Sequence, residues 1–146
     1  MISRCCDDPR LLAGLRHSCG SIFAEALDDP EVIEIMLNPN GTLWVEKYGQ
    51  DHECVGSIEP AQSRLILSQV ASSLNLTVNE RNPIVEGEFP LDGSRFEGTF
   101  PPIVGPGPSF SLRKKASRVF TLQEYVDSGY NTTKVVEIIQ KAVQNR

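Results

Sequence analysis

The side chains best suited to chemistry are a set of cations in the second half of the chain: Arg95, then Arg113, Lys114, Lys115 and Arg118. A guanidinium is a planar, permanently charged fork of donors, so two of them converging on one face would suit a polyphosphate. An ordinary solvated basic face is the competing reading of the same residues, and Lys114 and Lys115 read as solvated neighbours of Arg113. The acid pairs Asp7/Asp8, Asp28/Asp29 and Glu86/Glu88 could act as paired carboxylates, but helix capping and solvated strand faces account for them. Cys5, Cys6, Cys19 and Cys54 contain no CxxC pair, and His17 and His52 are scattered, so no metal site is expected; adjacent Cys5 and Cys6 read as free thiols. The sequence holds no GxxxxGK(S/T) phosphate loop, no GxSxG elbow and no HExxH helix. Hydrolysis by this chain alone is therefore not expected.

The elements that must position those cations are legible from periodicity. Residues 10–27 carry Leu11, Leu12, Leu15, Cys19, Ile22, Phe23, Ala26 and Leu27 at three- and four-residue steps, one stripe of a helix capped by Asp7 or Asp8 with Pro9 in its first turn. Gly14 and Gly20 each weaken such a helix by about 1 kcal/mol against Ala, so packing of the stripe must hold it. Residues 32–37 and 42–48 read as strands joined by the turn Asn38-Pro39-Asn40-Gly41, and residues 52–57 as a third strand. A helix over residues 59–74 presents Leu67, Val70, Ala71 and Leu74.

From residue 83 to 112 the pattern is an antiparallel meander. Strands over 85–89, 95–100 and 109–113 are separated by Leu91-Asp92-Gly93-Ser94 and by a loop over 101–108 with four prolines. Alternation puts Phe110 and Leu112 on one face of the last strand and Ser111 and Arg113 on the other. The proline-rich loop, lying between two Arg-bearing strands, would help to preset the separation of Arg95 and Arg113. Thr121 and Glu124 stand in capping-box register for a helix over 121–128, and residues 131–144 form a second, amphipathic helix with Val135, Ile138, Ile139 and Val143. Helices at both ends of clustered antiparallel strands make an α+β fold.

Composition bounds the function. A chain of 146 residues fits one ordinary domain, and 40% hydrophobic with 23% charged residues is the profile of a packed globular protein. A net charge of -5 argues against a nucleic-acid coat, leaving only a local basic patch to meet polyanions. The amino terminus MISRCCDDPR has acids where a signal peptide needs apolar residues, and no apolar run reaches membrane-spanning length, so a cytoplasmic protein is expected.

Two segments together carry a family resemblance. NERNPIVEGEFPLDGSRFEGTFPPIV over residues 79–104, followed by FSLRK over 110–114, resembles the amino-terminal domain of the secretion traffic ATPases. That family reads as a Pro-hydrophobic strand, a PDGSR turn, a strand, PP, a loop and a strand ending in IRK; here one extra residue separates Pro90 from Asp92. Asp29-Pro30-Glu31-Val32, leading into Ile35–Gly41 and Trp44-Val45-Glu46, is similar to the family's first helix-to-hairpin passage and looks closest to the TrbB type of conjugal-transfer ATPase.

The resemblance implies a PAS-like antiparallel sheet of five to six strands, an α+β domain over 1–130, and a helix over 131–146 leading toward a RecA-like nucleotide-binding domain. It implies a hexameric ATPase that energises type IV secretion, both conjugative DNA transfer and pilus biogenesis. ATP and Mg²⁺ would bind the full-length protein and neither would be held by this chain alone. Nucleotide would sit between the two domains, with Arg95 of the Asp-Gly-Ser-Arg motif and Arg113 of Leu-Arg-Lys reaching its phosphates. Partners would be its own RecA-like domain, neighbouring subunits of a homo-hexamer and other secretion components at the inner membrane, met peripherally from the cytoplasm, with no direct nucleic-acid binding. A stand-alone sensor or interaction domain without catalysis is the alternative, since small sheets flanked by helices often bind ligands without acting on them.

Overall fold

Period-two alternation in the strands dictates a sheet with one dry and one wet face, and that sheet forms. The computed structural model describes residues 8–116 and 119–145, so Cys5, Cys6, Asp7 and Arg118 lie outside the described residues. The elements run α1 (Pro9–Asp28), β1 (Val32–Leu37), β2 (Thr42–Lys47), β3 (Glu53–Ser57), α2 (Pro60–Ser73), β4 (Ile84–Glu88), β5 (Arg95–Thr99), β6 (Ser109–Arg113), α3 (Leu122–Asp127) and α4 (Thr133–Gln144). The class is α+β. Six antiparallel strands make one sheet in the order β3-β2-β1-β6-β5-β4, so two meanders join where β1 pairs with β6.

The registers sort the side chains cleanly. Ile35, Leu37, Leu43, Val45, Val85, Phe96, Phe110 and Leu112 fall on one face and are buried there. Against them pack Leu15, Cys19, Phe23, Ala26 and Leu27 of α1 and Ile66, Leu67, Val70 and Ala71 of α2. Phe23 of α1 stacks on Phe110 at 5.2 Å, and Phe96 sits 5.5 Å from both Phe89 and Phe110. Offset aromatic pairs of this kind add roughly 0.5–1.5 kcal/mol each beyond the area they bury. Glycine lets α2 come close: a Cβ on Gly98 would stand 2.9 Å from Leu67 Cδ2, and one on Gly87 would stand 2.7 Å from Leu74 Cδ1.

The first helix differs from a continuous stripe. Asp8 caps it by accepting from the Arg10 amide at 2.9 Å, with Pro9 in the first turn, but Gly20 is non-helical at φ 69° and ψ 176°, so two helical stretches meet at a kink. Gln62 of α2 donates to the Ser18 carbonyl at 2.8 Å, two residues before the kink. Leu11 and Ile22, both expected on the buried stripe, are exposed.

A boundary between Lys115 and Ala116 divides the chain into two compact units, which places α3 with α4 rather than with the sheet. In the second unit the capping box forms as read: Thr121 accepts from the Glu124 amide, and the Glu124 carboxylate accepts from the Thr121 amide at 2.7 Å. Along α4, Val136 is the buried residue, whereas Val135, Ile138, Ile139 and Val143 are exposed. No helix among the described residues is long and apolar enough to cross a membrane.

Candidate functional site

The outer face of the sheet carries the charges. Across it, Glu46, Glu34, Arg113, Arg95 and Glu88 align as successive cross-strand partners on β2, β1, β6, β5 and β4. Arg95 and Arg113 are therefore direct partners on neighbouring antiparallel strands, roughly 4.5–5.5 Å apart at Cα, with side chains on the same side. Two like charges placed directly opposite oppose strand pairing. The same face also holds the acid pairs Glu34/Glu46 and Glu86/Glu97, so like-charge pairing alone does not single out the arginines.

What distinguishes them is the concavity they share. Arg95, Arg113, Lys114 and Lys115, with Glu86, Glu88 and the backbone at Gly87 and Gly93, line an open hollow of about 500 Å³. Four cations against two carboxylates leave a local excess of two positive charges on a chain of net charge -5. Field from such a patch raises the local concentration of anions. Arg95 is engaged, its Nη2 lying 3.3 Å from Glu86 Oε1. Among the described residues Arg113 makes no ion pair and no side-chain hydrogen bond.

Local chemistry explains how the two arginines are placed. Asp92 Oδ1 accepts from the Ser94 amide at 2.9 Å and its Oδ2 from the Ser94 hydroxyl at 2.5 Å, while Gly93 supplies the φ of +71° that the turn requires. The Phe89 amide donates to the Ser94 carbonyl at 2.7 Å, closing the hairpin immediately before Arg95. Gly93 has a second use: a Cβ there would lie 2.5 Å from Lys115 Nζ, so the bare backbone of the turn is where the Lys115 ammonium rests.

At the other strand, the Lys114 amide donates to the Ile33 carbonyl at 2.9 Å, extending the β1/β6 pairing one residue past Arg113. Lys114 Nζ donates to the Asp29 carbonyl at 2.6 Å. The Asp29 carboxylate pairs with Lys47 of β2 at 2.9 Å and accepts from the Glu31 amide, and these bonds, the Lys47 one first, hold it below the ordinary carboxylate range. Next to it, the Arg16 guanidinium bonded to Asp28 lowers that carboxyl as well. Lys114 is thus tied into the turn between α1 and β1, not a solvated neighbour of Arg113. Lys115 is exposed, yet it lines the hollow.

The proline-rich loop does not set the arginine separation. It joins Thr99 to Ser109, the far end of the hairpin, about four residues or roughly 13 Å from the Arg95/Arg113 pair. Cross-strand register fixes the pair, and the loop instead packs on the β1–β2 turn, where Gly107 leaves no room for a Cβ beside the Pro39 carbonyl. Buried Cys19 is a core residue whose thiol burial pushes up to about 12, while Cys54 is exposed on β3.

Comparison with known proteins covers nearly the whole chain. Over 138 residues, 94% of this chain, it is 41% identical to the conjugal transfer protein TrbB of Rhizobium radiobacter and 40% identical to the probable conjugal transfer protein TrbB of Sinorhizobium fredii (strain NBRC 101917 / NGR234). The chain is thus similar in sequence to conjugal transfer proteins named TrbB. It spans 42% of the length of each of those relatives. No family model matches the chain. Its fold is similar to that of the VirB11 ATPase from the Brucella suis type IV secretion system, solved in complex with sulphate, with a TM-score of 0.71 and 20% identity over 85% of this chain and 37% of that one.

Proposed function

We propose that this chain is the amino-terminal assembly and regulatory domain of a hexameric ATPase that energises type IV secretion, in conjugative DNA transfer and pilus biogenesis. Arg95 and Arg113 contact nucleotide phosphates across an interface with a RecA-like domain. The observation that carries this reading is the direct pairing of Arg95 with Arg113 inside a cationic hollow on the outer sheet face. Similarity to the TrbB relatives and the shared fold with the VirB11 ATPase support the setting. The residues present fit the phosphate part of ATP, since two forks and an ammonium offer charged donors to several oxygens. The phosphate loop and Mg²⁺, which supply the electrostatic stabilisation of phosphoryl transfer when bound, belong to the other domain on this reading. Neighbouring copies and other secretion components at the cytoplasmic side of the inner membrane are the partners.

The test is Arg113→Ala in the full-length protein. Arg113 is exposed and, among the described residues, unpaired, so the change should leave the domain folded, within about 0.5 kcal/mol of the parent. If the contact tightens as the site closes, turnover should fall steeply, with ~10³–10⁵ the upper range for dedicated arginine fingers. Arg113→Lys should restore little, because an ammonium keeps the charge and loses the fork. Arg64→Ala, on the exposed side of α2, is the control. Hydrolysis by Arg113→Ala at the parental rate would overturn the reading.

A further inference from the structure

We infer that Glu86 is an internal competitor for Arg95, so that the hollow is taken first through Arg113 and Lys115, and Arg95 joins only as an arriving anion displaces the Glu86 carboxylate. This rests on the phosphate reading above and concerns how that site is loaded.

The placement of Glu86 is itself unfavourable apart from this contact. Its direct partner across β4 and β5 is Glu97, a like charge, and Arg95 stands diagonally from it. The carboxylate reaches along that diagonal to Arg95 Nη2 at 3.3 Å. It thereby neutralises one of the two guanidinium groups and turns its donors toward β4. Glu88, by contrast, is the direct cross-strand partner of Arg95 and makes no ion pair among the described residues. Among the described residues the Arg113 and Lys115 side chains have no hydrogen-bond or ion-pair partner, so the hollow is divided into an open half on β6 and an occupied half on β5.

Both partners are well exposed, the Arg95 side chain at 76% and that of Glu86 at 61%. An ion pair this wet is held weakly, and a phosphate group carrying more charge than a carboxylate can replace it. The consequence is a site that ambient monoanions fill poorly. A ligand that brings several phosphate oxygens, held in addition by a second surface, gains both arginines.

Titration of the 146-residue chain with inorganic tripolyphosphate at low salt tests this, followed by chemical shifts of the arginine side-chain N–H groups. Glu86→Gln should tighten binding about two- to five-fold, the range an exposed ion pair supports, and should move the Arg95 resonance in the free protein. Glu88→Gln should reproduce only a generic gain from one less negative charge. In an Arg95→Ala background, Glu86→Gln should give no more than Glu88→Gln does. Equal gains from Glu86→Gln with and without Arg95, or no gain beyond Glu88→Gln, would overturn the competitor while leaving the phosphate site intact. Binding by the Arg95→Ala/Arg113→Ala double variant at parental affinity would overturn the phosphate reading itself.

Discussion

Replacing Leu67 by Ala and Gly98 by Ala, singly and together, tests how closely α2 packs on the sheet. Leu67 is fully buried, and truncating such a residue costs roughly 2–5 kcal/mol in transfer and cavity terms. Gly98 lies in extended backbone on β5, so an alanine fits its conformation. The new Cβ would nevertheless sit 2.9 Å from Leu67 Cδ2, 3.1 Å from Leu67 Cγ and 3.0 Å from Phe96 Cε1. Both neighbours are fully buried and cannot swing away, which puts the single substitution at about 1–3 kcal/mol of overpacking. Once Leu67 is alanine, two of those three close contacts vanish and the added methyl occupies part of the cavity, worth about 0.8 kcal/mol per buried carbon. The double variant should therefore be more stable than the sum of the singles by roughly 2–3 kcal/mol. Urea unfolding read by fluorescence of Trp44, the single tryptophan of the sequence and a residue of β2, reports on the sheet unit directly. Additivity within about 0.5 kcal/mol would show that α2 does not rest on Gly98.

Lys114 and Lys115 should behave differently although adjacent. Lys114→Ala loses a charge-assisted bond to the Asp29 carbonyl and should cost about 1–2 kcal/mol, whereas Lys115→Ala should stay within about 0.5 kcal/mol of the parent; equal midpoints in urea would remove Lys114 from the turn. Asp28 and Asp29 both titrate below the ordinary carboxylate value of 3.8 when folded, so the unfolded chain binds protons first as pH falls. Their contribution is complete above that value and is lost as pH drops through the folded one. Thermal midpoints should decline below about pH 4, and Asp29→Asn should flatten that decline; an unchanged acid limb would refute the link.

Much of this architecture is legible in local sequence because local forces set it. The capping box at Thr121 and Glu124, the Asp-Gly turn before Arg95 and the alternation that turns Arg113 away from Leu112 all act within a few residues. The direct Arg95/Arg113 partnership is half legible: once Thr99 and Ser109 face each other, four steps along each strand bring the arginines opposite. What stayed hidden depends on residues far apart in the chain. Nothing near Lys114 announces the Asp29 carbonyl, 85 positions away, that holds its ammonium. Nothing near Gly20 announces Gln62, whose amide bonds to the Ser18 carbonyl beside the kink that splits a stripe spacing alone reads as continuous. Lys115 is visible in the sequence as one of the basic cluster, but nothing local shows that its ammonium lies over Gly93 at the hollow.

The pairing of β1 with β6 also has a consequence for how the protein is born. The Ser111 hydroxyl that donates to Glu34 at 2.7 Å is separated from it by 77 residues, so during synthesis β1 must wait for that length of chain before its second neighbour exists. At roughly 5–20 residues per second this is on the order of 4–15 s with an open strand edge. Through that interval Val32–Leu37 is a candidate for pairing with another nascent chain, and several chains translated side by side from one message would raise the risk. The Arg95/Arg113 partnership lies within the β5–β6 pairing, so the two arginines can meet before β6 reaches β1 and seals that edge.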